Sequence, residues 1–378
     1  MYIVILLFII AIIWSLAKYL YEIGGYPLVI AVVAILLFLY IRLISREKKK
    51  SFYVSAQGDD DNSGKSEKRP FKTLGKAILA VNESRRRKIT IIGNLNSKSE
   101  YSSKDDRYAI FDIFYTKNRD LTITGKPEAS DKERAILSGV RGISSIVRIR
   151  GTSSAKIIFE NIEISGIAPP DPDSYCSCVE VSLGTVEIGN GTIIKRSNIE
   201  GIRRVNDKIE TYENDNGAGI CITDGKLILN GGEITENKGS GIDLFGEAEL
   251  SMIDGVVCHN GFGICVHHAT SNCIISGGKL QSNQKIGIIV IGKCTMTDGS
   301  IERNEIGIVV SGKGKISIEG GLIEENKTGV YLTENGSLEI SNGQISKNIV
   351  AGIDISDNGS FTENGGTISE NGENILRH

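Results

Sequence analysis

Hydrophobic and polar positions in the C-terminal part of the sequence repeat with a period of about 22 residues. Seven repeats align on a glycine, and apolar residues stand five and three positions before it and two positions after it, with Glu363 as the one break. Short alternating stretches separated by turns predict half-buried strands, and a fixed period predicts a solenoid whose repeats cover one another. The aligned glycines are Gly232, Gly255, Gly278, Gly299, Gly321, Gly343 and Gly366.

These repeats predict an all-β fold, a parallel β-helix with three short strands in each turn of the coil. Neighbouring turns lie about 4.8 Å apart, so residues at equivalent positions stack above one another. We expect a β-helix domain over residues 52–378, with seven regular rungs in residues 219–378. An asparagine stands five positions after each aligned glycine, and stacked asparagines can hydrogen-bond along the axis, so we interpret them as structural. They are Asn237, Asn260, Asn283, Asn304, Asn326, Asn348 and Asn371.

The N-terminal part of the sequence has a different character. Residues 2–17 and 26–41 carry no charge, and Gly24, Gly25 and Pro27 mark a tight turn between them. Each stretch is slightly shorter than the roughly 20 residues of a typical span, and flanking basic and aromatic residues can extend it to the interface. A buried core helix and a cleaved signal peptide are the alternatives. We predict a two-helix transmembrane hairpin over residues 1–45, with the lipid bilayer as its partner.

Charge next to this hairpin predicts its orientation. Arg46 and Lys48 to Lys50 follow the second stretch within a basic linker at residues 46–51, whereas Lys18 stands alone between the two stretches. Basic residues prefer the cytoplasmic side of a membrane protein. We therefore expect the β-helix to lie in the cytoplasm.

The start of the predicted β-helix carries a recognisable motif. A first strand at Phe52 is followed by a loop rich in Asp and Gly and then by Pro70-Phe71-Lys72-Thr73 and an Ala-Ile pair. This order resembles the opening of right-handed parallel β-helix proteins of the pectin-lyase-like superfamily. The resemblance implies an N-terminal cap over residues 52–81, with a short helix, and irregular rungs over residues 82–218. It implies fold more than activity, because the superfamily includes lyases, hydrolases, epimerases, adhesins and inert scaffolds.

Composition excludes some functions. The formal net charge is −3, and the sequence has no basic stripe of the kind that binds nucleic acid, so no nucleic-acid partner is expected. The seven cysteines show no spacing typical of disulfides or metal sites. We expect no cofactor.

Two long loops interrupt the early rungs at residues 166–178 and 200–217. In enzymes of the resembling superfamily, activity resides on such loops and on outward side chains along one flank. A pectate-lyase-like site needs carboxylates that hold a cation against a uronate and a basic group that removes a proton. The loops offer candidates for these roles: Asp171, Asp173, Arg203 and Arg204.

A second candidate site lies on the regular rungs. Residues two positions after the glycine that opens each rung should face outward, which stacks Cys221, Asp243 and Cys265, with His267 two residues further along. Such side chains are ligands that zinc accepts. Cys221 and Cys265 are two rungs apart, however, which is too far for both to bind one ion unless their side chains converge.

The same outward positions become apolar further along the coil, at Ile289, Ile291, Val309 and Tyr331. An apolar stripe on an exposed sheet is typical of a binding surface, because solvent-exposed strands normally carry polar residues there. A covering loop is the alternative, but the chain has no insertion in this part. We expect this stripe to contact a protein partner or a second copy of the chain.

Together these features favour a membrane-anchored β-helix protein with a non-catalytic scaffold, binding or assembly role. The alternative is a membrane-tethered polysaccharide lyase or glycoside hydrolase, or a glycan-binding surface module. The side of the membrane discriminates between them, since uronate polymers are not expected in the cytoplasm.

Overall fold

The structure is a computed structural model, and its chain divides into two units, residues 1–50 and residues 51–378. It describes residues 34–35, 38, 50–96, 109–126, 134–139, 143–151, 155–167, 174–195 and 216–378, and the backbone of two strands at 201–205 and 208–212.

The predicted transmembrane hairpin at residues 1–45 lies outside the described residues, apart from Ala34, Ile35 and Phe38, which are helical. Within the described part of the chain, no helix combines the length and the apolar character needed to cross a bilayer. The hairpin and its orientation stay predictions.

Residues 51–378 form a parallel β-helix, as the repeat pattern predicts. Its first part contains eleven strands of the coil, between which the chain makes several longer excursions. They are β1 (Ser51–Ser55), β2 (Lys88–Ile92), β3 (Asn94–Leu95), β4 (Ala109–Tyr115), β5 (Leu121–Thr124), β6 (Ala135–Ser138), β7 (Ser145–Gly151), β8 (Lys156–Glu160), β9 (Ile162–Ser165), β10 (Cys176–Gly189) and β11 (Ile193–Lys195). An antiparallel hairpin of β12 (Gly201–Val205) and β13 (Lys208–Tyr212) interrupts the coil before the regular rungs begin.

The regular rungs each combine one short strand with one long strand. The short strands are β14 (Gly217–Ile222), β16 (Ser240–Leu244), β18 (Phe262–Val266), β20 (Ile286–Val290), β22 (Ile306–Val310), β24 (Thr328–Leu332), β26 (Ala351–Ile355) and β29 (Glu373–Arg377). The long strands are β15 (Gly225–Thr235), β17 (Glu249–Cys258), β19 (Asn272–Gln281), β21 (Lys293–Glu302), β23 (Lys315–Glu324) and β25 (Ser337–Ser346). In the last rung the long strand is divided into β27 (Ser360–Glu363) and β28 (Thr367–Ser369).

Each long strand bends where it passes the aligned glycine of its rung. The parallel pairing of β15 with β17, for example, shifts register between Leu229 and Glu233, on either side of the bend. All seven aligned glycines have positive φ, from +75° at Gly232 to +106° at Gly255, a conformation that side chains disfavour. The sequence predicts three strands in each rung, whereas the structure has two, of which the long one is divided by the bend. The inward apolar side chains of the rungs form one continuous core.

A corner of the coil is held by the seven asparagines. Each side-chain amide donates to the side-chain oxygen of the next asparagine, from Asn237 to Asn260 at 2.8 Å through to Asn348 to Asn371 at 2.9 Å. The residue before each asparagine adopts a left-handed conformation, with φ between 54° and 59°. The ladder therefore satisfies buried polar groups along the whole of the regular coil.

The N-terminal end of the core is covered by helix α1 (Leu74–Glu83), which buries Leu74, Ala77, Ile78 and Val81. The Asp60 carboxylate accepts hydrogen bonds from the backbone N–H of Lys72 and of Thr73, both at 2.9 Å, and from the Thr73 hydroxyl at 2.8 Å. The Asp-rich loop and the Pro-Phe-Lys-Thr segment thus serve to fix the cap, which protects the open end of the coil.

Candidate functional site

The short strands, together with β4, β7 and the first half of β10, stack into one face of the coil, which we call the front sheet. Parallel pairing aligns the central outward residue of each strand into a single column, the front column. From the N-terminal end it contains Asp112, Arg148, Glu180, Cys221, Asp243, Cys265, Ile289, Val309, Tyr331, Asp354 and Leu376.

The first part of the front column is an ordinary charged surface. Asp112 forms an ion pair with Arg150, and Glu180 accepts from Ser145 at 2.6 Å and from Arg148 at 3.3 Å. Opposite charges on neighbouring rungs balance one another here. These partly solvated pairs contribute little to stability.

Asp243 differs from these residues because its carboxylate is buried. The Asp243 side chain is only 5% exposed. Two other charged residues are buried in the described part of the chain: Arg86 donates to a backbone carbonyl, and Glu302 pairs with two basic side chains. Among the described residues, Asp243 has neither a lysine nor an arginine as partner, and its one ion-pair contact is to His267. Burial of a carboxylate is unfavourable unless hydrogen bonds or a cation compensate for it.

Two side chains from different parts of the chain bind the Asp243 carboxylate. The Tyr175 hydroxyl donates to Oδ2 at 2.7 Å, and Nε2 of His267 lies 3.1 Å from Oδ1. The loop predicted at residues 166–178 ends at Tyr175, because β10 begins at Cys176, so Tyr175 brings the end of this loop over the front column. Burial raises the pKa of Tyr175, and the negative charge of Asp243 raises it further, so the phenol keeps the proton that it donates.

Phe245, two residues after Asp243, organises a cluster of rings at the edge of the site. The His267 ring stacks on Phe245 with centroids 4.4 Å apart and an interplanar angle of 2°. Tyr175 and His268 contact the same ring edge-on, at 6.1 and 6.2 Å. We call these four residues the aromatic cluster. The His267 side chain remains 33% exposed, so solvent reaches the imidazole, whereas the Asp243 side chain is only 5% exposed.

The two cysteines of the site lie on either side of Asp243. The Cys265 thiol is 3.3 Å from the Ser240 hydroxyl and also interacts with Asp243, whereas the Cys221 thiol interacts with Tyr175. Burial raises the pKa of Cys221 to about 12 and raises that of Cys265 as well. Both thiols are therefore protonated at neutral pH and are poor nucleophiles in this state.

The structure brings three of the four metal-ligand candidates together. Asp243, Cys265 and His267 each offer one ligand atom, and these three atoms lie within 4.8 Å of one another. Cys221 does not join this group.

The four loop candidates are placed differently. Asp171 and Asp173 lie outside the described residues, although Tyr175 is only two positions after Asp173, a separation of at most about 7 Å along the backbone. Arg203 and Arg204 belong to β12, where they pair with Glu210 and Ile209 of β13. The assignment of these four residues to a catalytic site stays a prediction.

The predicted apolar stripe is present on the front sheet but is less exposed than the sequence suggests. Ile289, Ile291, Val309 and Tyr331 are all half-buried, because stacking on adjacent rungs covers part of each side chain. The Tyr331 hydroxyl also hydrogen-bonds Ser356 at 2.8 Å. More exposed apolar side chains lie at a corner of the coil, where Ile349 is 73% exposed and Val350 42%.

Two members of the site, Tyr175 and Phe245, are not among the candidates found by sequence. Phe245 had a detectable signal, because it stands four positions after its rung-opening glycine, at the offset that also holds His267 and Ile291. Tyr175 has no such signal, because it precedes its strand and its hydroxyl reaches an aspartate 68 residues away.

Comparison with known proteins agrees with this architecture. Residues 257–376 match the family described as the right handed beta helix region, which covers the last regular rungs. The chain has no match among curated proteins. The fold is a right-handed parallel β-helix.

Two solved structures are similar over most of the chain. Both are crystal structures of the GH136 lacto-N-biosidase from Eubacterium ramulus, one of the native protein and one of the selenomethionine derivative, with 12% and 14% sequence identity. Each alignment covers 95% of this chain and 75% of the other, with a TM-score of 0.37. A similarity at this level supports no inference about activity.

Proposed function

We propose that the protein is a glycan-binding β-helix module whose binding surface is the front sheet around Asp243 and the aromatic cluster. A glycan-binding module is the alternative to a non-catalytic scaffold that the sequence leaves open. The observation that carries the proposal is a buried carboxylate that contacts the partly exposed His267, whose ring stacks on the ring of Phe245.

The chemistry of this surface suits a sugar. Aromatic rings pack against the apolar faces of sugar rings, and carboxylate and imidazole groups are hydrogen-bond partners for sugar hydroxyls. Ligand sites typically combine apolar walls with a few positioned polar groups. Phe245 and Tyr175 supply the apolar part here, and Asp243 and His267 supply the polar part.

The long loop before β10 carries acidic residues that can add to this binding surface. Its last residues place Tyr175 on Asp243, so the acids at Asp171 and Asp173 belong to a segment that ends at the site. Cleavage of a glycan needs a second acidic or basic group at a defined distance from the first. In a lyase or hydrolase, Asp171 or Asp173 of this loop, or Arg203 or Arg204, would therefore serve as the second acidic or basic group.

Binding is tested first, by presenting the purified full chain to a panel of neutral and uronate-containing oligosaccharides. We expect selective binding that His267→Gln weakens and that Tyr331→Phe, on the same front column, leaves unchanged. Absence of binding to every member of the panel, or equal weakening by both substitutions, contradicts the proposal.

Cleavage is tested on whichever glycan binds. New reducing ends indicate hydrolysis, and unsaturated products indicate a lyase. Alanine at Asp171, Asp173, Arg203 and Arg204 together should abolish turnover with almost no loss of stability. Turnover that survives these four changes rejects the loops as the source of catalytic groups.

The scaffold is the second candidate, favoured by the apolar corner at Ile349 and Val350 and by the stripe on the front column. The scaffold function is consistent with the cytoplasmic orientation predicted from charge. The glycan proposal instead requires the β-helix on the outer side of the membrane, anchored by the N-terminal hairpin. Labelling a single engineered cysteine near Arg377, with the native cysteines replaced, discriminates between them. Labelling in intact cells supports the glycan proposal, and labelling only after permeabilisation supports the scaffold.

A further inference from the structure

The cluster around Asp243 brings side chains of the kind that bind metals to a buried carboxylate. Tyr175 donates to Oδ2 of this carboxylate, and Nε2 of His267 lies 3.1 Å from Oδ1. Cys265 is the neighbour of Asp243 on the next rung, and among the described residues no lysine or arginine pairs with Asp243. A buried carboxylate is unfavourable without compensation, and a bound cation is one of the usual ways in which proteins compensate for it.

We propose that Asp243, Cys265 and His267 bind a zinc ion on the outer surface of the front sheet. Zinc would bind Nε2 of His267 as a neutral imidazole that carries its proton on Nδ1, and it would displace one proton, that of the Cys265 thiol, into solvent. The charge then balances, because a carboxylate and a thiolate together neutralise a divalent cation. This inference does not depend on the proposed glycan function, since it concerns the ion alone.

The geometry of the three ligand atoms fits zinc. Zinc binds nitrogen and oxygen at about 2.0 Å, so two such ligands of a tetrahedral site lie roughly 3.3 Å apart. Nε2 of His267 and Oδ1 of Asp243 are already 3.1 Å apart. The three ligand atoms lie within 4.8 Å of one another, so the Cys265 sulfur has to approach by no more than about 1 Å to complete the set.

Neighbouring residues hold the ligands in position. Tyr175 fixes the Asp243 carboxylate through Oδ2 and leaves Oδ1 directed at the histidine, while Phe245 holds the plane of the His267 ring. The Ser240 hydroxyl contacts the Cys265 sulfur. Such supporting contacts orient ligands in known metal sites. The partly exposed His267 provides a path of entry, and the pairing of thiolate with imidazole selects zinc over calcium or magnesium.

Three protein ligands leave a fourth tetrahedral position open. Zinc sites of this kind, with three protein ligands and one exchangeable water, are typical of catalysis, whereas structural zinc sites have four protein ligands.

The test uses the purified full chain, without a histidine tag and stripped of metal with a chelator. Cobalt serves as the spectroscopic probe, because a thiolate ligand gives a charge-transfer band and a tetrahedral site gives strong visible bands. We expect both bands to saturate at one cobalt per chain and to disappear when zinc is added. Absence of a thiolate band in the wild-type chain overturns the proposal, whatever the variants do.

Matched variants identify the ligands. Cys265→Ser should remove the thiolate band, and His267→Gln should weaken zinc binding by about 100-fold or more, beyond the effect of losing an outer contact. The controls are Cys258→Ser, a buried thiol on another face, and His259→Gln, an exposed histidine outside the aromatic cluster, and both should bind like the wild type. A band that survives in Cys265→Ser, or equal losses in His267→Gln and His259→Gln, contradicts the assignment.

The two proposals fail separately in these experiments. Zinc is measured with no glycan present, so zinc binding without glycan binding rejects only the glycan proposal. Glycan binding by a chain that takes up no cobalt rejects only the zinc site. Each variant is first compared with the wild type by circular dichroism, so that a folding defect is not scored as loss of a ligand.

Discussion

Replacing Asn304 by alanine tests whether the asparagine ladder holds the coil together. The Asn304 side chain is buried and takes part in five hydrogen-bond contacts. Its oxygen accepts from the backbone N–H and the side-chain amide of Asn283, at 2.9 and 3.1 Å. Its amide donates to Leu280 O, Glu302 O and the Asn326 side chain, at 3.0 to 3.2 Å.

The magnitude of the loss follows from these contacts. The amide has two hydrogens for three acceptors, so the five contacts amount to about four hydrogen bonds, each worth about 1 kcal/mol net. The Asn283 side chain keeps its bond to Val257 O, but the Asn283 backbone N–H loses its acceptor. Allowing for the carbonyls that keep backbone partners, we expect Asn304→Ala to lower the free energy of unfolding by about 3 kcal/mol.

Two further variants make the test specific. Asn371→Ala removes a similar set of contacts from a half-exposed residue of the last rung, where water can replace them, so we expect a loss of only about 1 kcal/mol. Asn304→Asp keeps the shape but cannot donate, and it places a buried charge against three acceptor oxygens, so it should destabilise more than alanine does.

Denaturant unfolding of the full chain, followed by circular dichroism, measures these differences. Hydrogen exchange at the Asn283 amide gives a local reading, because this N–H should exchange faster in Asn304→Ala. A loss below about 0.5 kcal/mol, or equal losses at Asn304 and Asn371, would refute the idea that the buried ladder is a main source of stability.

Three further predictions concern packing, reactivity and assembly. A Cβ added at Gly263 would lie 2.2 Å from a carbonyl oxygen of the next rung, so Gly263→Ala should lower the free energy of unfolding by about 3 kcal/mol or more. At Gly312 the nearest atom is 3.7 Å away, so Gly312→Ala should lower it by only about 1 kcal/mol. Thermal unfolding measures both losses. Burial raises the pKa of Cys258 to about 11, so this thiol should resist alkylation in the folded chain at pH 8 and react faster as the pH rises towards 11. Mass spectrometry measures the modification, and rapid modification of Cys258 at pH 8 would contradict its burial. If the apolar stripe is an interface, Ile289→Glu with Val309→Glu should reduce the size of the assembly on a sizing column, and an unchanged size rejects it.

Sequence periodicity was sufficient to predict the coil, because each rung repeats the same physical constraints. The bend of every long strand needs a positive φ, which explains the glycine at the same place in all seven repeats. The inward positions must be apolar for rungs to stack, as at Cys273 and Cys294, which are both buried. The early rungs were harder to delimit, since long excursions interrupt their pattern.

The candidate site was only partly predictable, because it depends on contacts between elements that are far apart in sequence. The front column could be derived by counting from each opening glycine, which placed Asp243 beside Cys265 and His267. The burial of these side chains could not be derived, since Tyr175 covers them from a loop with no periodic relation to the rungs. The position of a residue relative to its opening glycine likewise could not show that neighbouring rungs half-bury Ile289 and Val309.

Phe245→Leu offers the most direct test of the central claim, that the surface around Asp243 binds a glycan. Leucine keeps an apolar side chain but removes the ring, whose stacking is worth about 0.5 to 1.5 kcal/mol. Titration calorimetry with the glycan selected by screening should show binding weakened by about 2- to 10-fold. Circular dichroism should show that the variant still folds, although it loses the ring contacts to His267, Tyr175 and His268. An unchanged affinity would show that the glycan binds elsewhere and would contradict the account.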